Sequence, residues 1–308
     1  MNHGFAIAPP VTAPQASAGT VLANSLAAVV LLAGSVRQTE IAGIARRPLL
    51  DLPFHGDSTL GTCWMEHASE LRTHTGRPAL KLLVTANSIA GHPESIVEND
   101  NTLVRMDINE PRGSGGALRD ALAGFDPDSR VLIAPGHALP RGNLVDLFAL
   151  LAHPTADIVI HADAAKMPTG FLLLRCGVLA NVAVNGFADL KEQVLPQLAA
   201  RFDVRVVRDG HPSPLPVRSL AGYIQALRAA CNPLGGSPAG QAEGWRSSFS
   251  IAEDGAKVHP TARLHDSVVL EGGRVDAGAV VVRCLVGPGG VVVAGDAVFD
   301  KVLGSKEA

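Results

Sequence analysis

The chain has 308 residues, of which 47% are hydrophobic and 18% charged, and its formal net charge at pH 7 is −3. This composition predicts a soluble globular protein with a full core and excludes a largely disordered chain. With no basic run longer than Arg46-Arg47, the chain offers no positive surface for nucleic acid or an anionic membrane. The cysteines lie far apart and form no C-x-x-C motif, which predicts free thiols in a reducing cytoplasm.

The N-terminal residues 1–20 are rich in Ala, Pro, Thr and Ser without a period, which predicts a loose arm. The apolar run that follows, residues 21–33, is too short to span a bilayer and has no Lys or Arg before it. It therefore favours a buried first strand over residues 27–33, ending at Gly34, rather than a secretory signal.

Gly113, Ser114, Gly115 and Gly116 form a glycine-rich segment that leads straight into an amphipathic helical pattern. Glycine lets the backbone take positive φ and bring its N–H groups close to a flat or anionic ligand. The segment lacks the spacing and the terminal Lys-Ser/Thr of a P-loop, so two interpretations stand: a ligand-facing loop, or a tight turn into a helix.

Strands and helices are predicted on both sides of this segment from the spacing of apolar residues. The strands predicted in this way cover residues 80–86, 96–107 (an edge region), 130–134 and 156–161, and the helices cover residues 61–74 and 143–151. Strands at 170–174 and 204–207 and a helix at 189–198 are implied only by the family resemblance described below.

A different period begins after residues 232–250, which are rich in Gly, Pro and Ser and predict a linker. Within residues 251–308, a Val or Leu recurs every five or six residues, as in hexapeptide repeats of a parallel β-helix. The recurring residues are Val258, Leu264, Leu270, Val275, Val281, Val286, Val292 and Val298. So few turns leave open ends, which should pack on the rest of the chain or on a second copy.

The order of these landmarks resembles the sugar-1-phosphate nucleotidyltransferases. Their base-contacting loop reads L-G-T-A-G-A-L where this chain has R-G-S-G-G-A-L at residues 112–118, and P-K-P-L-L where it has R-R-P-L-L at 46–50. The resemblance implies an α/β domain with a doubly wound, mostly parallel sheet over residues 21–231, followed by a short left-handed parallel β-helix. It also implies that Gly34 and residues 113–116 bind a nucleotide, and that Arg37 or Arg47 contacts phosphate.

The chain departs from that family where the family does its chemistry. The family holds Mg²⁺ with two aspartates, and this chain has His137 and Pro216 at those positions. The family's phosphate loop has further glycines after the first, and most of its sugar-binding segment is missing here. Asp107 or Asp163 could compensate for the lost carboxylates.

Other sets of residues allow further interpretations. His137, His161 and Asp163 follow or end predicted strands and could form a rebuilt metal site, or could be ordinary hydrogen-bonded loop residues. His259 and His265 are placed like the histidine of β-helix acyltransferases, although so few turns would hardly form that cleft. Arg46-Arg47 is either a phosphate clamp or a solvated helix entry.

Three functions follow from the resemblance and the departures. The favoured one is a catalytically degenerate relative that binds a nucleotide or nucleotide sugar and regulates or scaffolds a partner. The alternatives are an active transferase using Mg²⁺, and a purely structural oligomer. In each case we expect a homo-oligomer, or a complex with an active paralogue, formed through the C-terminal repeats.

Overall fold

The computed structural model describes residues 25–34, 36–107, 112–183, 186–231 and 249–305. The arm predicted for residues 1–20 and nearly all of the linker predicted for 232–250 lie outside the described residues.

Seven strands form one large sheet in the order β10-β8-β9-β6-β1-β4-β5. They are β1 (Leu26–Leu32), β4 (Lys81–Asn87), β5 (Thr102–Asp107), β6 (Arg130–Pro135), β8 (Ile158–Ala162), β9 (Pro168–Arg175) and β10 (Val204–Arg208). Every neighbouring pair is parallel except the two that involve β9, which runs antiparallel to both β6 and β8. The sheet is therefore mixed, and its parallel strands end on one edge.

Apolar side chains alternate along these strands between two cores, one on each face of the sheet. In β6, for example, Leu132 joins the first core while Val131 and Ile133 join the second. The helices are α1 (Glu40–Ala45), α2 (Leu60–Thr75), α3 (Gly113–Ala121), α4 (Leu144–Leu151), α5 (Leu195–Ala199) and α6 (Leu220–Cys231). Helices α2, α4 and α6 pack on the first face, and α3 and α5 on the second.

Two short antiparallel pairs accompany the sheet. They are β2 (Pro53–His55) with β3 (Ser58–Thr59), and β7 (Ala138–Leu139) with β11 (Leu215–Pro216). The second pair holds residues 215–216 beside the end of β6, because the Val217 N–H also donates to the His137 carbonyl.

The C-terminal strands build three small sheets in which all pairing is parallel, as the repeats predict. One sheet holds β12 (Ser250–Ala252), β15 (Ser267–Val269), β18 (Leu285–Val286) and β21 (Val302–Leu303). The others hold β13 (Lys257–Val258), β16 (Arg274–Val275) and β19 (Val291–Val292), and β14 (Arg263–His265), β17 (Val280–Val282) and β20 (Ala297–Phe299). Successive strands of a sheet are 17 residues apart, so Ser267 pairs with Ser250 and its hydroxyl accepts the Cys284 N–H.

The C-terminal sheets pack directly on the large domain. Phe249, Val268, Leu270 and Leu285 belong to the same core as helices α2 and α6. The rest of the repeat valines form a separate small core between the three sheets. The two parts of the chain therefore share buried apolar surface, which stabilises their contact.

None of the helices described is long and apolar enough to cross a membrane.

Candidate functional site

A cavity of about 540 Å³ opens at the edge where the parallel strands end. Gly34 follows β1, Asn87 ends β4 and His137 follows β6, and all three line the cavity. Asp107 at the end of β5 lines one flank, and Asp163 after β8 lines the other. Open α/β sheets bind ligands at this edge, so the cavity is the candidate site.

The glycine-rich segment contributes to the cavity only through its first half. Gly113 and Ser114 line it, whereas Gly115 and Gly116 are buried in the first turn of α3. Both buried glycines donate their N–H groups to the Ala188 carbonyl, at N···O distances of 2.8 and 3.3 Å. These two N–H groups therefore serve a contact within the protein.

A hydrogen-bonded turn lies next to the glycine-rich segment and lines the same cavity. Asp189 precedes a turn of π-helix, Leu190–Val194, and its Oδ1 accepts the backbone N–H groups of Lys191 and Glu192. Ser114 donates its hydroxyl to Asp189 Oδ2 at 3.2 Å and accepts the Leu190 N–H at 2.9 Å. This arrangement puts Lys191 on the cavity wall. Single turns of π-helix occur often at functional sites.

His137 is neutral at pH 7 and has two cations near it. Its pKa is lowered to about 4, chiefly by burial and also by the charges of Arg218 and Lys191, and a hydrogen bond to the Leu32 backbone opposes the shift only in part. Arg218 and Pro216 line the same cavity. The positions that resemble the family's metal aspartates therefore carry an imidazole and a side chain with no donor atom, and two cations lie close enough to act on the imidazole.

His161 does not join His137 and Asp163 in a metal site. Its ring is fully buried, with Nδ1 2.9 Å from Thr169 Oγ1 and Nε2 3.0 Å from Asp209 Oδ1. Asp163 is engaged as well, since its Oδ1 accepts the Met167 N–H. Among the described residues, no group of three His, Cys, Asp or Glu side chains could hold a metal ion.

Arg47 binds the C-terminal segment instead of facing the cavity. Its guanidinium donates to both carboxylate oxygens of Glu253, at 2.7 and 3.0 Å. The neighbouring Arg46 donates to the Ser305 hydroxyl at 2.9 Å. Arg37 is exposed and does not line the cavity. The exposed histidines His259 and His265 lie on the C-terminal sheets, away from it.

The sequence analysis missed the two cationic side chains of the cavity, Lys191 and Arg218. Lys191 stands in the stretch 189–198, which is expected to be a helix, and Arg218 follows Pro216 by two residues. Both are far in sequence from the glycine segment, so only the fold shows that they line the same cavity.

Neither a protein-family model nor a curated protein matches the chain. Among solved structures, it is similar to a homologue of Mycobacterium tuberculosis Rv0371c from Mycobacterium sp. strain JC1, with a TM-score of 0.51 and 21% identity over 67% of this chain and 98% of that one. Rv0371c from M. tuberculosis H37Rv has a TM-score of 0.48 and 20% identity, over 66% of this chain and 98% of that one. The Rv0371c complex with manganese has a TM-score of 0.47 and 19% identity, over 66% and 99%. At such identity the first of these likenesses shows a shared mixed α/β fold and nothing finer.

Proposed function

We propose that the chain binds a nucleotide or a nucleotide sugar in this cavity and acts as a regulatory or scaffold protein of nucleotide-sugar metabolism. The observation that carries the proposal is that two cationic side chains, Arg218 and Lys191, line the cavity, and that after burial their charges contribute to the low pKa of His137. A diphosphate is the ligand group that two such cations attract, and a hydroxyl-rich or planar group suits the two flanks.

The flanks offer hydrogen-bonding groups of the kinds such a ligand needs. On the side of β8 and β9, the cavity is lined by Asp163, Thr169 and Ser213, which suit the hydroxyls of a sugar. On the side of β4 and β5, Asn87 and Asp107 suit the edge of a base or a ribose. We infer that the ligand lies across the strand ends, with its phosphates beside Arg218.

Catalysis of nucleotidyl transfer fits this cavity poorly. Magnesium would need hard oxygen donors, and His137 and Pro216 supply none at the positions the family uses. The two carboxylates that could compensate, Asp107 and Asp163, lie on different flanks of the cavity and belong to no group of three potential metal ligands among the described residues. Loss of even one electrostatic element at such a site costs about 10²- to 10³-fold in rate.

We also propose that the C-terminal segment is a short left-handed parallel β-helix. The support is the strand order: consecutive strands visit the three sheets in turn and return to the first after 17 residues. Its short turns and its last, exposed strands would suit assembly with a second copy or with a related active enzyme.

Thermal unfolding in the presence of nucleotides tests the binding proposal. The ligands to test are UTP, GTP and ATP and the nucleotide sugars UDP-glucose, GDP-glucose and ADP-glucose. One of them should raise the midpoint temperature of unfolding, because a ligand at 100 times its Kd stabilises the folded state by about 2.7 kcal/mol. Arg218→Ala should weaken binding about tenfold or more, because a charge-assisted hydrogen bond is lost. Lys257→Ala, an exposed lysine of the C-terminal sheets, is the matched control and should bind as the parent does. A panel without any midpoint shift would contradict the proposal.

The charge of the occupant is tested by NMR titration of His137. A bound diphosphate should raise the pKa of His137 from about 4, whereas Mg²⁺ or Mn²⁺ beside the ring would lower it. Pyrophosphate release in the presence of a nucleoside triphosphate and a sugar 1-phosphate is expected to be absent. Release that depends on the sugar phosphate would support the active transferase instead.

A further inference from the structure

Three polar side chains on one flank of the cavity form a continuous hydrogen-bonded series. Thr169 Oγ1 lies 2.9 Å from His161 Nδ1, and His161 Nε2 lies 3.0 Å from Asp209 Oδ1. The residues come from the neighbouring strands β8 and β9 and from the loop after β10. The pairing of β8 with β9 changes register between Ile160 and Ala162, which is where His161 stands. Such irregularities re-aim side chains and are common beside active sites.

The partners of each group show which group donates and which accepts each hydrogen bond of the series. Burial raises the pKa of the Asp209 carboxyl, but hydrogen bonds from the His161 ring and the His211 backbone lower it by more, so the pKa lies below its usual value. An ionised Asp209 accepts the Nε2 proton of His161, which leaves the Nδ1 lone pair facing the Thr169 hydroxyl. That hydroxyl also lies 3.3 Å from the His161 carbonyl, a longer contact than the one to Nδ1.

Of the three residues of the series, only Thr169 lines the cavity. Thr169 and its neighbours Pro168 and Gly170 line the cavity, whereas the His161 ring is fully buried. A hydroxyl with a basic imidazole behind it and a carboxylate behind the imidazole is the arrangement that activates nucleophiles in hydrolases on unrelated folds. Here Nδ1 faces the hydroxyl and Nε2 faces the carboxylate. In the Ser-His-Asp triad of serine proteases the two nitrogens have the opposite partners.

We propose that Thr169 is a nucleophile that hydrolyses carboxylic esters in this cavity, with His161 as its base and Asp209 orienting the base. The proposal adds an activity to the binding function proposed above. Arg218 and Lys191 line the same cavity and favour an ester that carries a phosphate or another anionic group.

The reaction needs only the ester and water. The Thr169 oxygen bonds to the carbonyl carbon while its proton passes to His161 Nδ1, and the bond from that carbon to the alcohol oxygen breaks as the alcohol takes the proton. Water then attacks the acyl-threonine and gives a proton to Nδ1. The Thr169 oxygen leaves with that proton, and the carboxylic acid is released.

Labelling with a fluorophosphonate probe tests the nucleophile directly. Mass-spectrometric peptide mapping should place the label on Thr169, and p-nitrophenyl acetate should be hydrolysed about 10²-fold faster than by Thr169→Val, the range that a positioned base contributes. Thr169→Ser should keep both the label and the hydrolysis. His161→Gln and Asp209→Asn should lose most of both.

A second threonine provides the matched control. Thr261 Oγ1 also lies 2.9 Å from a histidine Nδ1, that of His259, but on the exposed C-terminal sheets and outside the cavity. Thr261→Val should react as the parent does. Absence of any label on the intact parent, or a label mapped to another residue, would overturn the proposal. Because mapping uses the parent protein, the result stands even if a variant fails to fold, and it is independent of any nucleotide-induced midpoint shift.

Discussion

At the scale of single residues, His137 is the side chain whose protonation couples most clearly to the fold. Its pKa lies near 4, against an ordinary value of 6.5, because burial and the neighbouring cations Arg218 and Lys191 disfavour the imidazolium. Below pH 6.5 the unfolded chain binds a proton at this position that the folded protein does not bind. The contribution of His137 to the free energy of unfolding is therefore fully present above pH 6.5 and is lost as the pH falls towards 4.

We expect His137→Gln to remove this part of the pH dependence. The contribution is on the order of 3 kcal/mol, from 1.36 kcal/mol for each pKa unit. Urea unfolding at a series of pH values between 7 and 4 measures it, and the free energy of unfolding of the variant should fall less steeply than that of the parent. Equal slopes would mean that His137 titrates normally in the folded protein.

Gly115 tests whether the glycine segment serves packing. A Cβ at this position would lie 2.6 Å from Val194 Cγ2 and 3.0 Å from the Ala188 carbonyl oxygen. Gly115→Ala should therefore lower the free energy of unfolding by about 1–3 kcal/mol, as overpacked sites do, although alanine normally favours a helix. Gly210→Ala, where a Cβ meets open space, is the control and should change it by less than about 0.5 kcal/mol. A stable Gly115→Ala protein would leave the ligand-facing interpretation of this glycine standing.

The sequence identified several residues of the cavity without showing how they are used. Glycine in a helical first turn has the same sequence signature whether a ligand or another backbone approaches it, and only the fold brings Ala188 against Gly115. Arg47 could be assigned a charge but not a partner, because Glu253 lies 206 residues away in sequence.

At the scale of elements, residues 39–50 connect the cavity region to the C-terminal sheets. Pro48 and Leu50 line a small recess next to Gly34 and His137, on one side of this segment. On its other side, Arg47 pairs with Glu253. The Glu253 carboxylate also accepts the Glu271 N–H. The ion pair therefore connects the turn after α1 to the ends of β12 and β15.

Arg47→Ala should lower the free energy of unfolding by about 1–3 kcal/mol, because hydrogen bonds to a partly buried carboxylate are lost. Both side chains are less than a quarter exposed, at 24% and 19%, so solvent weakens the pair only partly. Arg274→Ala breaks the more exposed pair with Asp276 and should cost less than about 1 kcal/mol. Denaturant unfolding measures both, and equal losses would show that Arg47 has no special part in joining the two regions.

Strand and helix positions could be predicted well from local periodicity. The strand predicted at residues 130–134 is β6, and the helix predicted at 143–151 is α4, capped by the Asn143 side chain. Strand direction has no local signal, so nothing in residues 170–174 indicated that β9 runs antiparallel between β6 and β8. The π turn before α5 was equally hidden, because it depends on Ser114 and Asp189 meeting across the fold.

At the scale of the whole molecule, the C-terminal sheets present an apolar surface. Val291, Val293 and Phe299 are 46%, 51% and 51% exposed, on or next to the last strands of their sheets. In the part of the chain described, β19, β20 and β21 each pair on one side only. Unpaired strand edges and exposed apolar side chains favour contact with another chain, and a second copy is the simplest partner.

We expect the protein to be an oligomer through this surface, and Phe299→Glu to weaken it. Burying an unpaired carboxylate in an apolar contact is costly, so the dissociation constant should rise about 30-fold or more, as for loss of a central aromatic contact. Val206→Glu is the matched control: Val206 is 49% exposed, but it lies on β10 at the edge of the large sheet. Sedimentation velocity over a concentration series should show dissociation of the Phe299 variant at concentrations where the parent and the Val206 variant stay associated. A monomeric parent would contradict the expected oligomer. Equal dissociation of both variants would place assembly elsewhere, because a charge on β10 cannot disturb a contact made by the last C-terminal strands.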